Sequence, residues 1–267
     1  MVHDGKVAIV TGGGRGLGRA VALGLSRAGF RVAITAARTR DEIEAVAREA
    51  PPGGIHPIMA DVSSESACAA LIKEVEVRLG PPDVLVNNAG RGMRYVSERF
   101  LSEPTRFWEA DPETWRMIIE TNVNGPFFMS RAVAPGMVAR GWGRIINISM
   151  NHETMRRRGF SPYGPSKAAL ESETIIWSQD LAGTGVTVNA LLPGGASLTG
   201  MIPDEVPAEV RAKLISPEIM VPPLLWLVSD SADQVSGQRF NASRWDTKLN
   251  PDEAAVKASE PAGWGAP

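Results

Sequence analysis

A short apolar run leads directly into a glycine-rich turn and then into a helical pattern near the start of the chain. Val7–Val10 has the composition of a buried strand. The sequence Thr-Gly-Gly-Gly-Arg-Gly-Leu-Gly follows at 11–18, and apolar residues then recur at helical spacing as far as Gly29. Glycines there let a backbone approach a phosphate closely, and a helix N-terminus offers free N–H groups. The pattern favours a phosphate-binding unit over a flexible turn.

Strand-like apolar runs alternate with helical patterns along most of the chain. Further strands are predicted at 31–35, 55–59, 83–87, 144–149, 185–192 and 239–242. Such alternation predicts a parallel sheet with right-handed crossovers, whose ligands bind beyond the carboxyl ends of the strands. We therefore predict an α/β fold: a single Rossmann-like, doubly wound parallel sheet of about seven strands, with helices on both faces.

The predicted domain spans 1–249. Two stretches without strong periodicity, at about 91–111 and 195–220, are candidate substrate loops. The end of the chain, 250–267, is rich in Ala, Pro and Gly, and we predict a C-terminal tail there.

Composition limits the function classes. The 267 residues are 43% hydrophobic, which suffices for one sizeable core, and the net charge of -2 gives no indication of a nucleic-acid partner. The single cysteine, Cys68, precludes an internal disulfide and fits a reducing compartment. No stretch approaches the roughly 18 consecutive apolar residues of a membrane span. We expect a soluble, cytoplasmic protein with no membrane partner and no metal site.

The end of the second predicted strand bears on cofactor choice. An acidic side chain there would accept a hydrogen bond from a ribose 2′-hydroxyl, as in NAD sites, whereas a basic one suits the 2′-phosphate of NADP. The chain reads Ala-Ala-Arg-Thr-Arg at 36–40, with the first carboxylate at Asp41, and Arg15 in the glycine turn could reach the same phosphate. This favours NADP(H) over NAD(H). The alternative is that Arg38 and Arg40 merely cover the start of a surface helix.

Tyr163 and Lys167 are four residues apart, which places them on one face of a helix. An ammonium beside a phenol favours the phenolate, so we expect Lys167 to lower the tyrosine pKa from its usual value of about 10. Ser149 ends the fifth predicted strand, at the ligand edge of the sheet. Asn122 falls in the apolar stripe of a helix that begins at Pro112. If buried it needs a partner, and both a structural role and a role at the site remain open.

Taken together, these motifs resemble the short-chain dehydrogenase/reductase family, from about Lys6 to Trp245. The resemblance rests on motifs in a fixed order, namely the turn at 11–18, Asp61-Val62, Asn-Asn-Ala-Gly at 87–90, Asn122, Ser149, Tyr163-x-x-x-Lys167 and Pro193-Gly194.

The resemblance implies an NAD(P)-dependent oxidoreductase that interconverts a ketone and a secondary alcohol. Tyr163 would be the general acid in reduction and the base in oxidation, and Ser149 would hydrogen-bond the substrate oxygen. Lys167 would hold the nicotinamide ribose, and Asn122 would position a water in a proton relay. Cofactor contacts would come from Gly12, Arg15, Gly16, Leu17, Gly18, Arg38, Asp61, Val62, Asn88, Ala89, Gly90, Tyr163, Lys167, Pro193 and Gly194.

Two other functions remain open at this point. A catalytically silent NAD(P)-sensing module of the same fold would usually have lost the tyrosine or the lysine, and this chain keeps all four polar groups. An epimerase or dehydratase of this kind tends to be longer. The resemblance also implies a homo-oligomer, a tetramer or a dimer, built partly on the helices at 112–140 and 163–181.

Three consecutive arginines, Arg156 to Arg158, lie between Ser149 and Tyr163. They either bind an anionic substrate or belong to a solvated loop.

Overall fold

One sheet organises the computed structural model of the chain, which describes residues 5–263. Within that range the sheet has eight strands: β1 (Val7–Val10), β2 (Arg31–Ala36), β3 (Ile55–Met59), β4 (Val84–Asn87), β5 (Gly143–Ile148), β6 (Val186–Leu192), β7 (Gln238–Asn241) and β8 (Ser259–Pro261). Neighbouring strands are parallel throughout, except that β8 pairs antiparallel with β7. The predicted α/β class is confirmed, with one strand more than expected.

Helices cover both faces of the sheet. They are α1 (Gly16–Arg27), α2 (Arg40–Glu49), α3 (Glu65–Arg78), α4 (Pro112–Ile119), α5 (Gly125–Arg140), α6 (His152–Met155), α7 (Tyr163–Asp180), α8 (Ala208–Arg211), α9 (Val221–Leu227) and α10 (Pro251–Ala258). One apolar layer joins the sheet to α1, α2, α9 and α10, and the other joins it to α3 and α5. Both layers need inward-facing apolar strand residues, which explains the nearly continuous apolar runs of β1 and β4. None of the helices in 5–263 is long and apolar enough to cross a membrane.

The strand order β3-β2-β1-β4-β5-β6-β7-β8 fixes where a ligand can bind. The chain winds outward in one direction from β1 to β3 and then returns to place β4 on the other side of β1. The crossovers that leave β1 and β4 therefore diverge, and they open a crevice at the carboxyl ends of these two strands.

Two helices begin at a residue whose side chain caps the helix. Asp111 precedes α4 and its carboxylate accepts a hydrogen bond from the Thr114 N–H at 2.8 Å. Ser64 caps α3 in the same way through the Ala67 N–H at 3.3 Å. Each cap satisfies a backbone N–H group that has no partner within its helix.

The two predicted substrate loops contact each other above this edge. Loop 91–111 contains two short 3-10 turns, Met93–Tyr95 and Phe107–Glu109, and loop 195–220 contains α8. The guanidinium of Arg94 donates hydrogen bonds to the carboxylate of Asp204 at 2.6 Å and to the carbonyl of Gly200 at 3.3 Å. The loops therefore form one covering layer over the ligand edge.

The structure differs from the predicted tail at 250–267. As far as the structure describes it, to Gly263, this segment forms α10 and β8 and belongs to the fold. Three alanines of α10, Ala254, Ala255 and Ala258, are buried, and the last two belong to the apolar layer on the sheet. An alanine-rich segment looks like a linker by composition, but small side chains are what a helix needs to pack closely.

Asp252 provides a test of this correction, because its carboxylate accepts a hydrogen bond from the buried Trp226 indole N–H at 2.6 Å. Asp252→Ala should lower the free energy of unfolding by about 1–3 kcal/mol, since it leaves a buried donor without a partner. The matched control is Glu253→Ala, which removes an exposed acid from the same first turn and should change stability by less than about 0.5 kcal/mol. Urea unfolding followed by circular dichroism measures both; equal effects would mean that α10 does not support the fold.

Candidate active site

A cleft of about 820 Å³ lies at the carboxyl edge of the sheet, within the size range of cofactor and substrate sites. Most of the residues predicted from the sequence meet there. Those that line it are Gly12, Arg15, Gly16, Leu17, Arg38, Asp61, Val62, Asn88, Ala89, Gly90, Ser149, Tyr163, Lys167, Pro193 and Gly194. The remaining two, Gly18 and Asn122, lie directly behind the lining.

The glycine turn owes its shape to positions where a side chain would not fit. Gly12 and Gly16 have φ values of +64° and +53°, in the left-handed region that favours glycine. A Cβ on Gly18 would lie 2.3 Å from the carbonyl oxygen of Gly12 and 2.4 Å from the side-chain nitrogen of Asn88. Gly18 therefore lets α1 pack close to the end of β4, and the first residues of α1 line the cleft, where its free N–H groups could bind a phosphate.

Side-chain hydrogen bonds fasten the end of β4 to this turn. Asn88 donates through its side-chain nitrogen to the carbonyls of Thr11 at 2.8 Å and Gly12 at 3.0 Å. The Thr11 hydroxyl accepts from the backbone N–H groups of Asn88 and Ala89, each at 3.0 Å. Asn88, which the family resemblance assigns to the cofactor cleft, lies in that cleft. It also joins two sides of the cleft, the end of β4 and the glycine turn after β1.

The far end of the cleft, beyond β2, carries two arginines and two carboxylates. Arg38 is exposed and lines the cleft, as the sequence predicts. Arg15 lies 3.6 Å from Glu42, an acidic residue outside the predicted site. Asp61 accepts hydrogen bonds from the N–H and hydroxyl of Ser63 at 3.0 and 2.7 Å. Burial alone would raise the pKa of Asp61, but these bonds, with the charges of Arg91 and Arg38, hold it below its usual value.

Tyr163 and Lys167 stand on the first turns of α7, which begins at Tyr163. Gly164 allows this start, because a Cβ there would lie 2.1 Å from the carbonyl oxygen of Met155 in α6. The ammonium of Lys167 donates to the carbonyl of Ile148, at the end of β5, at 2.7 Å. The Tyr163 hydroxyl lies 4.0 Å from the sulfur of Met201, in loop 195–220. The pair is thus fixed between a strand end and a predicted substrate loop.

Burial dominates the electrostatics of the pair. It raises the pKa of Tyr163 to about 12 and lowers the pKa of Lys167 to about 8, although the charge of Glu171 acts to raise the latter. The prediction that Lys167 lowers the tyrosine pKa is therefore wrong for this geometry. Tyr163 is protonated at neutral pH, which suits a proton donor.

Ser149 has a partner that sequence reasoning missed. Its hydroxyl donates to the carboxylate of Glu171 at 2.5 Å, and Glu171 is fully buried. The signal was available, because Glu171 follows Lys167 by four residues and so occupies the same face of α7.

Asn122 is fully buried in a single π-helical turn, Glu120–Asn124, that joins α4 to α5. Its side chain accepts from the backbone N–H of Arg91 at 2.8 Å and donates to the Arg91 carbonyl at 3.0 Å and the Ser166 hydroxyl at 2.9 Å. The side-chain amide therefore secures loop 91–111 to α7. A Cβ on Gly90 would lie 3.4 Å from its oxygen and 3.8 Å from the Lys167 ammonium, so Asn122 stands immediately behind the cleft.

The opposite end of the cleft is mostly apolar. Met93, Phe100 and Phe160 form a small buried cluster beside Tyr163, with the two rings edge to face at 5.8 Å. Arg157 lines the cleft next to this cluster, its guanidinium 5.4 Å from the Phe160 ring centre. Of the arginines predicted at 156–158, only Arg157 is among the residues that line the cleft in the described structure.

Comparison with known proteins agrees with this geometry. The model of the short chain dehydrogenase family matches residues 6–209. The chain belongs to this family. It is 35% identical over 246 residues to the acetoacetyl-CoA reductase of Shinella zoogloeoides, covering 89% of this chain and 97% of that protein.

Two solved structures are similar to the fold as a whole. One is a metagenomic short-chain oxidoreductase in complex with NADP, at 30% identity and a TM-score of 0.71, covering 88% of this chain and 95% of the other. The second is a short chain dehydrogenase/reductase family protein at 31% identity and a TM-score of 0.77, covering 90% of this chain and 97% of the other.

Family membership makes the protein an oxidoreductase that acts on CH–OH and C=O groups. The residues present fit the nicotinamide dinucleotide of such enzymes, because the glycine turn and the N-terminus of α1 line the cleft and Arg15 and Arg38 lie at its β2 end. In the described part of the chain, no group of three or more His, Cys, Asp or Glu residues could hold a metal ion.

The structural role of Asn122 generates a prediction. Asn122→Ala should lower the free energy of unfolding by about 1–3 kcal/mol, because the buried N–H and C=O of Arg91 lose their partners. Asn124→Ala is the control, since the Asn124 side chain bonds to Glu120 at the surface of the same turn. Urea unfolding should separate the two variants by at least about 1 kcal/mol. Equal stability of both would show that the side chain of Asn122 does not fasten the loop.

Proposed function

We propose that the protein is an NADP(H)-dependent oxidoreductase that interconverts a ketone and a secondary alcohol, with Tyr163 as its general acid in reduction and its base in oxidation. The observation that carries the proposal is the meeting of Ser149, Tyr163 and Lys167 with the glycine turn in one cleft. A reduction needs a hydride and a proton delivered to the same carbonyl, and so requires cofactor and acid side by side. The nicotinamide supplies the hydride when bound.

The chain's own residues divide the remaining work. The N-terminus of α1 and the turn at Gly12 and Gly16 would hold the pyrophosphate, and Lys167 would bond the nicotinamide ribose. Pro193 and Gly194 would flank the nicotinamide. Tyr163 would give its phenolic proton to the substrate oxygen. With its pKa raised to about 12 the hydroxyl is protonated at neutral pH, as a proton donor must be, although a value so far above neutral by itself makes it a weak acid.

The preference for NADP(H) rests on the end of β2. The residues directly after Ala36 that line the cleft are Ala37, Arg38 and Thr39, so the end of β2 itself offers a 2′-phosphate a cation and no carboxylate. The two carboxylates at this end of the cleft, Glu42 and Asp61, come from α2 and from the residues after β3. Arg15 is paired with Glu42 at 3.6 Å, so we assign the principal phosphate contact to Arg38, which forms no ion pair within 4 Å in the described structure. A similar solved structure contains NADP, which gives further support.

The substrate would be a ketone with an apolar portion. The cluster of Met93, Phe100 and Phe160 provides an apolar wall beside Tyr163, and the loops at 91–111 and 195–220 would cover the substrate. A 3-oxoacyl thioester is the first compound to assay, since acetoacetyl-CoA reductase is a relative of the chain.

Assembly and location complete the proposal. Trp115 on α4, Phe127 on α5 and Ile176 on α7 expose between 38% and 51% of their surface, which supports burial against further copies of the chain in a homo-oligomer, a tetramer or a dimer. A cytoplasmic location would suit the single free cysteine, Cys68.

A reduction assay tests the catalytic proposal. Purified protein is given NADPH or NADH with a panel of ketones that includes 3-oxoacyl esters, sugars, steroids and diketones. Tyr163→Phe should lose about 10²- to 10⁴-fold in kcat while its Kd for NADPH stays within about twofold, since only the transferable proton is removed. No turnover of any ketone by the wild type, with NADPH bound tightly, would favour the sensing module; full activity of Tyr163→Phe would exclude this tyrosine as the acid.

Cofactor choice is tested by Arg38→Ser. Loss of a charged contact to the 2′-phosphate should raise KM for NADPH about 10-fold or more and leave KM for NADH unchanged. Arg40→Ser is the matched control, because Arg40 pairs with Glu44 at 3.7 Å on the exposed face of α2. Equal changes for both cofactors, or equal effects of the two variants, would contradict the assignment.

The arginine run is tested in the same way, one residue at a time. If the substrate is anionic, Arg157→Ser should raise KM for an acidic ketone about two- to fivefold, the range expected for one exposed ion pair. Arg158→Ser removes a neighbouring exposed arginine and should leave KM unchanged. An equal effect of Arg157→Ser on neutral and acidic ketones would mean that the arginine does not recognise charge.

A further inference from the structure

Asn151 lies two residues after Ser149, in the short segment that leads from β5 into α6. It is half-buried and lines the cleft, as Ser149 and Gly194 do. Its side-chain nitrogen donates a hydrogen bond to the carbonyl of Gly194 at 3.0 Å. Because a carbonyl oxygen can only accept, the nitrogen of the amide must be the atom that faces Gly194. Asn151 therefore joins the segment after β5 to the segment after β6.

This side-chain bond continues the pairing of β5 and β6 past the point where the backbone can do so. The Ser149 N–H donates to the carbonyl of Leu191 at 2.9 Å, at the end of the parallel ladder. In this register the next bond would be donated by the N–H of residue 193, and Pro193 has no N–H. The amide of Asn151 supplies the link that the proline removes.

Gly194 also contacts the end of β7, the other neighbour of β6 in the sheet. Its φ of +91° lies in the left-handed region that favours glycine. A Cβ on Gly194 would overlap the side-chain oxygens of Asn241 and Ser243. These side chains are themselves fixed, because Asn241 accepts hydrogen bonds from the Ser243 N–H and hydroxyl at 3.1 and 2.8 Å. Gly194 is thus packed against the end of β7 and hydrogen-bonded to the segment after β5.

We propose that Asn151 is a positioning residue that sets the distance between the bound nicotinamide and Ser149 by fixing Gly194. The proposal rests on the proposed function, in which Pro193 and Gly194 would flank the nicotinamide and Ser149 would bond the substrate oxygen. Because Asn151 and Ser149 stand on one short segment, the bond to Gly194 couples the two positions. Hydride transfer needs the reacting atoms about 3–3.5 Å apart, and a displacement of about 1 Å can cost about 10²-fold in rate.

The first measurement is made on the protein without cofactor. Asn151→Asp keeps the size of the side chain but has no N–H to donate to Gly194, and Asn151→Ala removes the amide altogether. Backbone hydrogen–deuterium exchange over 194–197, followed by mass spectrometry, should become about 3- to 10-fold faster in both variants, the range for the loss of one hydrogen bond. Glu153→Gln is the matched control, because Glu153 is exposed on α6, and its exchange should equal that of the wild type.

The second measurement is the rate of hydride transfer in single turnovers, with a saturating ketone that the wild type reduces. NADPH deuterated at the transferred position verifies that this step is the one observed. Both Asn151 variants should transfer hydride about 10- to 100-fold more slowly. Their Kd for NADPH should rise less than about threefold, because the lost bond acts on the transition state more than on binding. Glu153→Gln should transfer hydride at the wild-type rate.

The two measurements separate the two proposals. If the wild type reduces no ketone, the proposed function fails and the positioning role fails with it, while the exchange data still test the link between Asn151 and Gly194. With an active wild type, a wild-type rate in Asn151→Asp overturns the positioning role. Slower transfer with unchanged exchange also overturns it, as does a loss confined to the Kd for NADPH. Asn151→Ala decides if Asn151→Asp does not fold; failure of both to fold would assign the bond to the scaffold alone.

Discussion

Hydrogen bonds between side chains and strand ends are the interaction on which the site depends. Parallel strands bring their carboxyl ends to one edge of the sheet. Beyond that edge the backbone N–H and C=O groups have no neighbouring strand to which they can hydrogen-bond. The amide of Asn88 reaches the carbonyls of Thr11 and Gly12, and the ammonium of Lys167 reaches that of Ile148. The groups that would bind and react are thus the same groups that satisfy the backbone. The edge can be rigid and polar at once for that reason.

A second layer of bonds continues this arrangement into the core. Asn87 donates to Asn147 at 2.9 Å across neighbouring strands, and Asn147 donates to Thr174 of α7 at 2.9 Å. Since Tyr163 and Lys167 stand on the same helix as Thr174, the strand ends fix the height of α7 over the sheet. Ser149 and Glu171 add a further bond between β5 and this helix. The free-energy cost of burying so many polar groups is offset because nearly every one of them is hydrogen-bonded within the network.

Much of this architecture could be predicted from the sequence. Strong apolar runs bounded by turns predicted seven strands to within about two residues, and the glycine turn with the spacing of Tyr163 and Lys167 predicted which edge carries the site. The eighth strand could not be predicted, because Ser259–Pro261 is only three residues long and partly exposed. It is recognisable as a strand only from its pairing with β7. The shift of the Tyr163 pKa was predicted in the wrong direction, because spacing in the sequence reveals a nearby charge but not the burial that raises this pKa.

Residues that act through others were the hardest to identify. Glu42 looks like an ordinary surface acid in the sequence, and the spacing of Glu171 from Lys167 indicates only which face of the helix it occupies. Contact with Arg15 and with Ser149 in the folded chain gives these two residues their significance. For Asn122, the burial was predictable from the apolar stripe of its helix. Its three hydrogen bonds were not predictable, because the partner groups lie on two distant segments, loop 91–111 and α7.

The most direct measurement of the central claim is a crystal structure of the chain grown with NADPH. The pyrophosphate should lie at the N-terminus of α1, the 2′-phosphate beside Arg38 and the nicotinamide in contact with Tyr163 and Lys167. A cofactor bound outside this cleft, or one whose nicotinamide lies away from Tyr163, would show that these residues do not form the reaction centre, whatever activity the protein has.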